Sequence, residues 1–212
     1  TCVAPDYVLV QKDVKDALVR EIIAQIYVQY GSNPLYNRRY GKIINRKHFD
    51  RIRGLIDEKK VVYGGQVDED TLQIAPTVMT NVSWEDAVMQ EEIFGPIIPI
   101  LTFDKMEDVY RKLKDLPKPL AFYYYSKNKK KAKEVMKYSF YGGGCINDCI
   151  MHLTNDELPF GGVGRSGMGS YHGEAGFKAF SHFKSIMDKP TWMELNLKYS
   201  PRTAGKLNLI KK

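Results

Sequence analysis

Apolar runs of strand length alternate along this chain with segments whose apolar residues recur at helical spacing, and no other feature restricts the fold as strongly. Asp6 to Val10 reads as a short strand. Asp13 to Tyr30 follows as a helix, with Asp13 placed to cap it and Val14, Ala17, Leu18, Ile22, Ile26 and Val28 at roughly helical spacing. Gly31-Ser32-Asn33-Pro34 stops it. A second helix is expected from about Lys47 to Glu58 on the stripe Phe49, Ile52, Leu55 and Ile56, after which Val61 to Tyr63 enters the Gly64-Gly65 turn. Ile74 to Met79 and Ile97 to Phe103 read as strands, then Lys105 to Lys114 as a helix and Leu120 to Tyr125 as a strand. A basic helix from Lys129 to Tyr138 and a strand from Gly142 to Asn147 complete the series. This order predicts the α/β class, a parallel sheet with helices on both faces.

The chain has 212 residues, 43% of them hydrophobic and 12% aromatic, enough for one sizeable core and an appendage. Three Cys are too few and too oddly numbered for a secreted disulfide framework, so the reading is a cytoplasmic protein in a reducing compartment. No stretch approaches the ~20 consecutive apolar residues of a membrane helix, and the first residues lack the layout of a signal peptide. No integral membrane segment is expected. The net charge of +7 raises nucleic acid as a partner, but the Lys residues spread along the chain and only Lys127 with Lys129 to Lys133 clusters. Solvated helix faces and a basic tail explain the charge without nucleic acid.

Several motifs bear on chemistry. Gly162-x-Gly164-x-x-Gly167 has the spacing of a dinucleotide fingerprint. It follows Leu158-Pro159-Phe160, where a strand is required, and it leads to the end of the chain, so it reads as a loop of tight turns. Cys145, Cys149 and His152 are zinc-ligand types, yet no fourth ligand is evident nearby, and no metal is expected. Gln90-Glu91-Glu92-Ile93-Phe94-Gly95-Pro96 places two carboxylates and a ring just ahead of an apolar strand, at the mouth of an α/β sheet where such folds bind ligands. The bland alternative is a helix C-terminus with a core Phe. Cys2 by itself reads as a small buried hydrophobe.

Five segments in order change that reading. They are Thr1-Cys2-Val3-Ala4-Pro5-Asp6-Tyr7, Met89 to Pro96, Lys118-Pro119-Leu120-Ala121, Gly142-Gly143-Gly144 through Asn147-Asp148, and Leu158 to Gly173. Together they resemble the aldehyde dehydrogenase superfamily, and the Ala-Pro-Asp-Tyr and Gly-Met-Gly-Ser-Tyr-His-Gly stretches are most similar to its class 3 and fatty aldehyde branch.

The resemblance implies that Cys2 is the catalytic nucleophile, adding to an aldehyde to give a thiohemiacetal and then, after hydride transfer to NAD or NADP, a thioester that water hydrolyses. It implies that Glu92 holds the nicotinamide ribose hydroxyls, that Phe94 packs by the nicotinamide ring, and that the backbone N–H of Cys2 is one oxyanion donor. Asn147 and Phe160 would line the aldehyde entrance. Residues 1–184 would form the catalytic domain and 185–212 a C-terminal arm, a candidate oligomerisation strand in a homodimer. The family's dinucleotide-binding domain, oxyanion Asn and general-base Glu precede the Cys, so this chain is expected to be a fragment that is inactive alone. The substrates implied are medium-chain, long-chain or aromatic aldehydes. Two alternatives stay open: a reductase of the same superfamily linked to coenzyme A or acyl phosphate, and a non-catalytic binding or scaffold domain.

Overall fold

The structure, a computed structural model, describes residues 1–201 and 203–210. The chain divides into two compact units, Thr1–Ala179 and Phe180–Lys212.

In the first unit the elements follow in the order β1 (Val8–Gln11), α1 (Lys15–Tyr30), α2 (Arg46–Arg53), β2 (Val61–Tyr63), β3 (Val67–Asp68), β4 (Gln73–Ile74), β5 (Thr77–Met79) and β6 (Ile97–Phe103). Then come α3 (Met106–Asp115), β7 (Ala121–Tyr124), α4 (Lys129–Tyr138), β8 (Gly143–Ile146) and α5 (Gly173–Ala179). The main sheet has the order β1-β6-β5-β2, with β1 parallel to β6 and β5 parallel to β6. Its outer strand β2 runs antiparallel to β5, an edge the sequence reading did not anticipate. β7 and β8 pair in parallel as a separate two-stranded sheet.

The period of two in β6 assigns its faces. Ile97 and Leu101 join Phe49 and Ile52 of α2, with Met79 and Ile93, in one buried cluster. Ile100 joins Val10 and Val78 on the opposite face, where Leu18, Val19, Ile22, Ile23 and Ile26 of α1 cover them. Helices therefore lie on both faces of this sheet, as expected. Each fully buried aliphatic side chain contributes about 1.5–3 kcal/mol, so these two layers are what hold the loops between them in place.

Several boundaries differ from the sequence reading for local reasons. Asp13 does not cap α1. It lies in a single 3-10 turn, Lys12–Val14, and no side chain caps the helix that starts at Lys15. At the other end Gly31, with φ +82°, does stop the helix. The second helix ends at Arg53 because Leu55 and Ile56 turn the backbone back onto Ile52 and Arg53, and Asn45 caps its start by accepting from the His48 N–H at 2.9 Å. The apolar run Ile74 to Met79 is two strands. Ile74 pairs with Val67 and Thr77 with Ile97, with Ala75 and Pro76 between them. Proline cannot donate to a ladder.

In the second unit the described residues form a 3-10 turn at Asn196–Lys198 and a helix α6 (Ala204–Ile210), with no strand among them. Lys189 and Lys198 both pair with Glu194, at 2.7 and 2.5 Å, and hydrogen bonds from these two lysines hold its carboxyl down to about 2. Phe180, Phe183, Ile186, Met187 and Trp192 stand exposed. A strand in this segment would need an edge supplied from elsewhere. Among the described residues no helix is long and apolar enough to cross a membrane.

Candidate active site

The turn that precedes β1 carries Cys2. Ala4 N–H closes it onto Thr1 O at 3.0 Å, and Val3 is fully buried, so the turn is anchored from below while the Cys2 side chain stays exposed. A second anchor comes from β7. The Tyr123 hydroxyl donates to Val3 O at 2.6 Å, and the Ile150 N–H lies against the same phenol oxygen. Burial, ahead of any charge, pushes that phenol up, so it remains a donor at neutral pH.

Glu92 and Phe94 occupy a turn ahead of β6, held at three points. Ile93 is buried between them. Its N–H donates to Asp6 Oδ1 at 2.9 Å, and its carbonyl accepts from Arg51 Nη2 at 2.6 Å. Arg51 Nη1 also reaches Glu91 Oε1 at 2.9 Å and Glu92 O at 3.3 Å. Gly95 packs so closely that a Cβ there would meet Ile52 at 2.9 Å. With the backbone clamped in this way, Phe94 adopts φ +49°, a region uncommon for an aromatic residue, and its ring is 56% exposed. The core-Phe alternative is therefore wrong for Phe94, since the buried residue of this turn is Ile93. Nor does a regular helix end here, only a 3-10 turn at Ala87–Met89.

The electrostatics tie the two turns together. Burial raises the Glu92 carboxyl first and the charge of Asp6 raises it further, while Arg51 pulls it down. Burial likewise raises Asp6, against the Ile93 N–H and Arg51, which lower it. Asp6 belongs to the stretch that carries Cys2 and bonds the stretch that carries Glu92 and Phe94, so the thiol and the exposed carboxylate and ring share one framework.

The side-chain amide of Asn147 is bonded to backbone at both ends. Its Oδ1 accepts from Ser126 N–H at 2.7 Å and its Nδ2 donates to Ser126 O at 2.9 Å, so both amide atoms tie the end of β8 to the end of β7. Its φ of +59° turns the chain there. Phe160 sits in a group of rings: His152 at 6.2 Å, Tyr171 at 5.8 Å and His172 at 6.0 Å, with Tyr123 at 5.8 Å from His152. Backbone bonds in both directions between Phe160 and Tyr171 close the glycine-rich loop. Inside that loop a Cβ on Gly162 would lie 2.2 Å from Ser166 O. The loop is folded onto itself and leads to a 3-10 turn at Gly164–Ser166, so its glycines serve close backbone approach.

Cys145 lies opposite Tyr123 in the β7–β8 ladder, with its Sγ 3.6 Å from His152 Nδ1. Among the described residues no group of three or more His, Cys, Asp or Glu is arranged to hold a metal ion. Burial and a hydrogen bond with Cys149 push the Tyr125 phenol up to about 12.

Asp6, Arg51 and Tyr123 had no assigned role in the sequence reading. Asp6 lies within a quoted motif, so its carboxylate could have been singled out. Arg51 and Tyr123 have partners about 40 and 120 residues away in sequence, and nothing local marks them.

Comparison with known proteins gives a single answer. The sequence profile of the aldehyde dehydrogenase family matches residues 1–186. The chain is 43% identical over 214 residues to an aldehyde dehydrogenase of Craterostigma plantagineum, covering 99% of this chain and 45% of that protein. It is 42% identical over 198 residues to a dimeric NADP-preferring aldehyde dehydrogenase of Bos taurus, covering 93% of this chain and 83% of that one. Among solved structures, the substrate-bound state of Staphylococcus aureus AldH matches with a TM-score of 0.87 at 43% identity, covering 100% of this chain and 46% of that one. A betaine aldehyde dehydrogenase from the same organism, in complex with NAD+, matches with a TM-score of 0.78 at 25% identity, over 95% of this chain and 43% of that one. The chain spans about half the length of several curated relatives that it matches. The ordered motifs, the fold and these matches agree: the chain belongs to the aldehyde dehydrogenase family.

Proposed function

We propose that this chain is the thiol-bearing catalytic part of an NAD(P)-dependent enzyme that oxidises medium-chain, long-chain or aromatic aldehydes to carboxylic acids. The observation that carries the reading is the Asp6–Ile93 hydrogen bond, 2.9 Å, which links the Cys2 turn to the Glu92–Phe94 turn. A nucleophile and a cofactor clamp must be held in one geometry for a reaction between their ligands, and about an ångström of misplacement is costly.

Cys2 adds to the aldehyde carbonyl to form a thiohemiacetal. Its exposure at the top of a buried turn lets a carbonyl reach the sulfur, and its backbone N–H can donate to the developing oxyanion. NAD or NADP, the cofactors of this family, would supply the hydride acceptor. The residues fit such a group: Phe94 offers an exposed ring for a flat heterocycle, and Glu92 offers an exposed carboxylate that can accept from a ribose diol. Arg51 and Asp6 hold the backbone that presents them. The acyl group then rests on Cys2 as a thioester until water releases the acid.

Residues 1–184 form the catalytic domain in this reading, and 185–212 an arm that joins a second subunit. The exposed apolar side chains of the arm and the printed description of the bovine relative as dimeric support a homodimer. Three unpaired thiols support a reducing compartment, the cytoplasm. Phe160 borders the aldehyde entrance, with Asn147 fixing the loop beside it.

Replacing Cys2 with Ala in the intact protein tests the proposal. Aldehyde-dependent formation of NAD(P)H should disappear, and the unsubstituted protein should release free acid with no stimulation by coenzyme A. Unchanged oxidation by Cys2→Ala would sink the nucleophile, and an absolute requirement for coenzyme A would replace oxidation to the acid by acyl transfer.

A further inference from the structure

The turn that carries Cys2 holds a series of hydrogen-bond donors that begins at Tyr123. Both outer peptide units of the turn are trans, and a trans unit points its C=O and its N–H to opposite sides. The Val3–Ala4 unit turns its N–H inward, where Ala4 donates to Thr1 O at 3.0 Å, so its carbonyl points outward and accepts from Tyr123 Oη at 2.6 Å. The Thr1–Cys2 unit turns its carbonyl inward to accept from Ala4, so the Cys2 N–H points outward. That N–H makes no hydrogen bond among the described residues. The phenol, the Ala4 N–H and the Cys2 N–H therefore form one series, open at the cysteine end. Each peptide N–H is polarised by the bond that its own unit accepts, by about 10–30% per link. The first donor is fixed independently of the turn: Tyr123 pairs with Cys145 in the β7–β8 ladder, and its ring meets the His152 ring edge-on at 5.8 Å. Burial keeps the phenol protonated near neutral pH, and Val3 is fully buried, so solvent does not screen the middle of the series.

We propose that Tyr123 is a positioning residue for the oxyanion site: through the two peptide units it aims and strengthens the Cys2 N–H as a donor to the oxygen of the reacting carbonyl. The inference rests on the reading of Cys2 as the nucleophile. When the Cys2 thiolate adds to an aldehyde, the S–C bond forms, the carbonyl π pair moves onto oxygen, and that oxygen accepts from the Cys2 N–H. The demand on the series is greatest there and smaller in the ground state, so its effect falls on the rate of reaction and not on cofactor binding. Loss of one whole oxyanion donor costs about 10²–10³-fold in kcat. A polarisation of about 10–30% of that bond is, on the logarithmic scale, a share of about 2–8-fold.

The test compares Tyr123→Phe with the unsubstituted intact protein in two reactions of the same sulfur. Single-turnover formation of NAD(P)H from aldehyde builds an oxyanion, whereas alkylation by iodoacetamide displaces iodide at a saturated carbon and builds none. Tyr123→Phe should slow the first about 2–8-fold and leave the second, and the KM for NAD(P), unchanged. Placing 3-fluorotyrosine at position 123, a stronger donor of nearly the same shape, should quicken the aldehyde reaction near neutral pH and again leave alkylation alone. Equal slowing of both reactions by Tyr123→Phe would overturn the proposal, because Tyr123 would then only hold the thiol in place. An aldehyde rate unchanged in both variants would overturn it as well. Cys2→Ala separates this inference from the one beneath it. Continued aldehyde oxidation by Cys2→Ala defeats the nucleophile reading, whereas its loss there, with no selective effect of Tyr123→Phe, defeats the role of Tyr123 alone.

Discussion

Replacing Arg51 with Ala should weaken cofactor binding while sparing the thiol. The guanidinium makes a short bond to Ile93 O at 2.6 Å, an ion pair with Glu91 at 2.9 Å and a longer contact with Glu92 O at 3.3 Å. The bond from a charged donor to the half-buried Ile93 carbonyl is worth about 1.5 kcal/mol at the low end of its class. The ion pair adds only about 0.5 kcal/mol, because Glu91 is half exposed and solvent screens the attraction. The long contact adds little. Together they give about 2 kcal/mol for holding the Glu91–Phe94 turn, and if all of it is lost from cofactor binding the KM for NAD(P) rises about 30-fold. Initial rates of the intact protein at varied cofactor would read this, alongside the rate of Cys2 alkylation by iodoacetamide. Arg51→Lys, able to reach only one acceptor well, should fall between. An unchanged cofactor KM together with a lowered Tm would refute the reasoning, since Arg51 would then serve stability alone.

Other substitutions probe the same framework. Burial raises the Asp6 carboxyl, so the folded state holds its proton more tightly than the unfolded state and this group's contribution to stability falls as pH rises through the carboxylate range. Asp6→Asn, which keeps the acceptor, should remove that slope in denaturant midpoints compared between about pH 4 and pH 7. Asp6→Ala leaves the buried Ile93 N–H without its partner and should cost about 1–3 kcal/mol, more near pH 4 than near pH 7. Gly162→Ala places a Cβ 2.2 Å from Ser166 O and should cost about 2–4 kcal/mol by Tm, whereas Gly164→Ala has open space and meets only the strain of φ +63°, about 1 kcal/mol. Tyr123→Phe removes the donor to Val3 O, should cost about 1 kcal/mol, and should speed hydrogen exchange at residues 2–4.

What was legible beforehand followed from local pattern. The seven-residue run Ile97–Phe103 is both a complete strand and the centre of the sheet, and α4 began and ended where its spacing placed it. Cys2, Glu92 and Phe94 were singled out because they belong to ordered motifs, and the structure joins their turns through Asp6. The agents of that joining were hidden, because Arg51 and Tyr123 act on backbone atoms far along the chain and a carbonyl acceptor leaves no trace in sequence. The split at Pro76 was visible as a missing donor but hidden by the apolar run around it. Asp13 had the chemistry of a cap and the wrong position, since a 3-10 turn shifts the helix start beyond it. Asn147 belongs to one of the ordered motifs, but the backbone partners of its short amide at Ser126 leave no trace in sequence.

The central claim is that Cys2 carries the acyl group. Mixing the intact protein with a medium-chain aldehyde and NAD(P), quenching in acid within a turnover and mapping the peptides tests it most directly. The predicted result is an acyl mass on Cys2 and on neither Cys145 nor Cys149. No acyl adduct under turnover, or an adduct on one of the other two thiols, would contradict it.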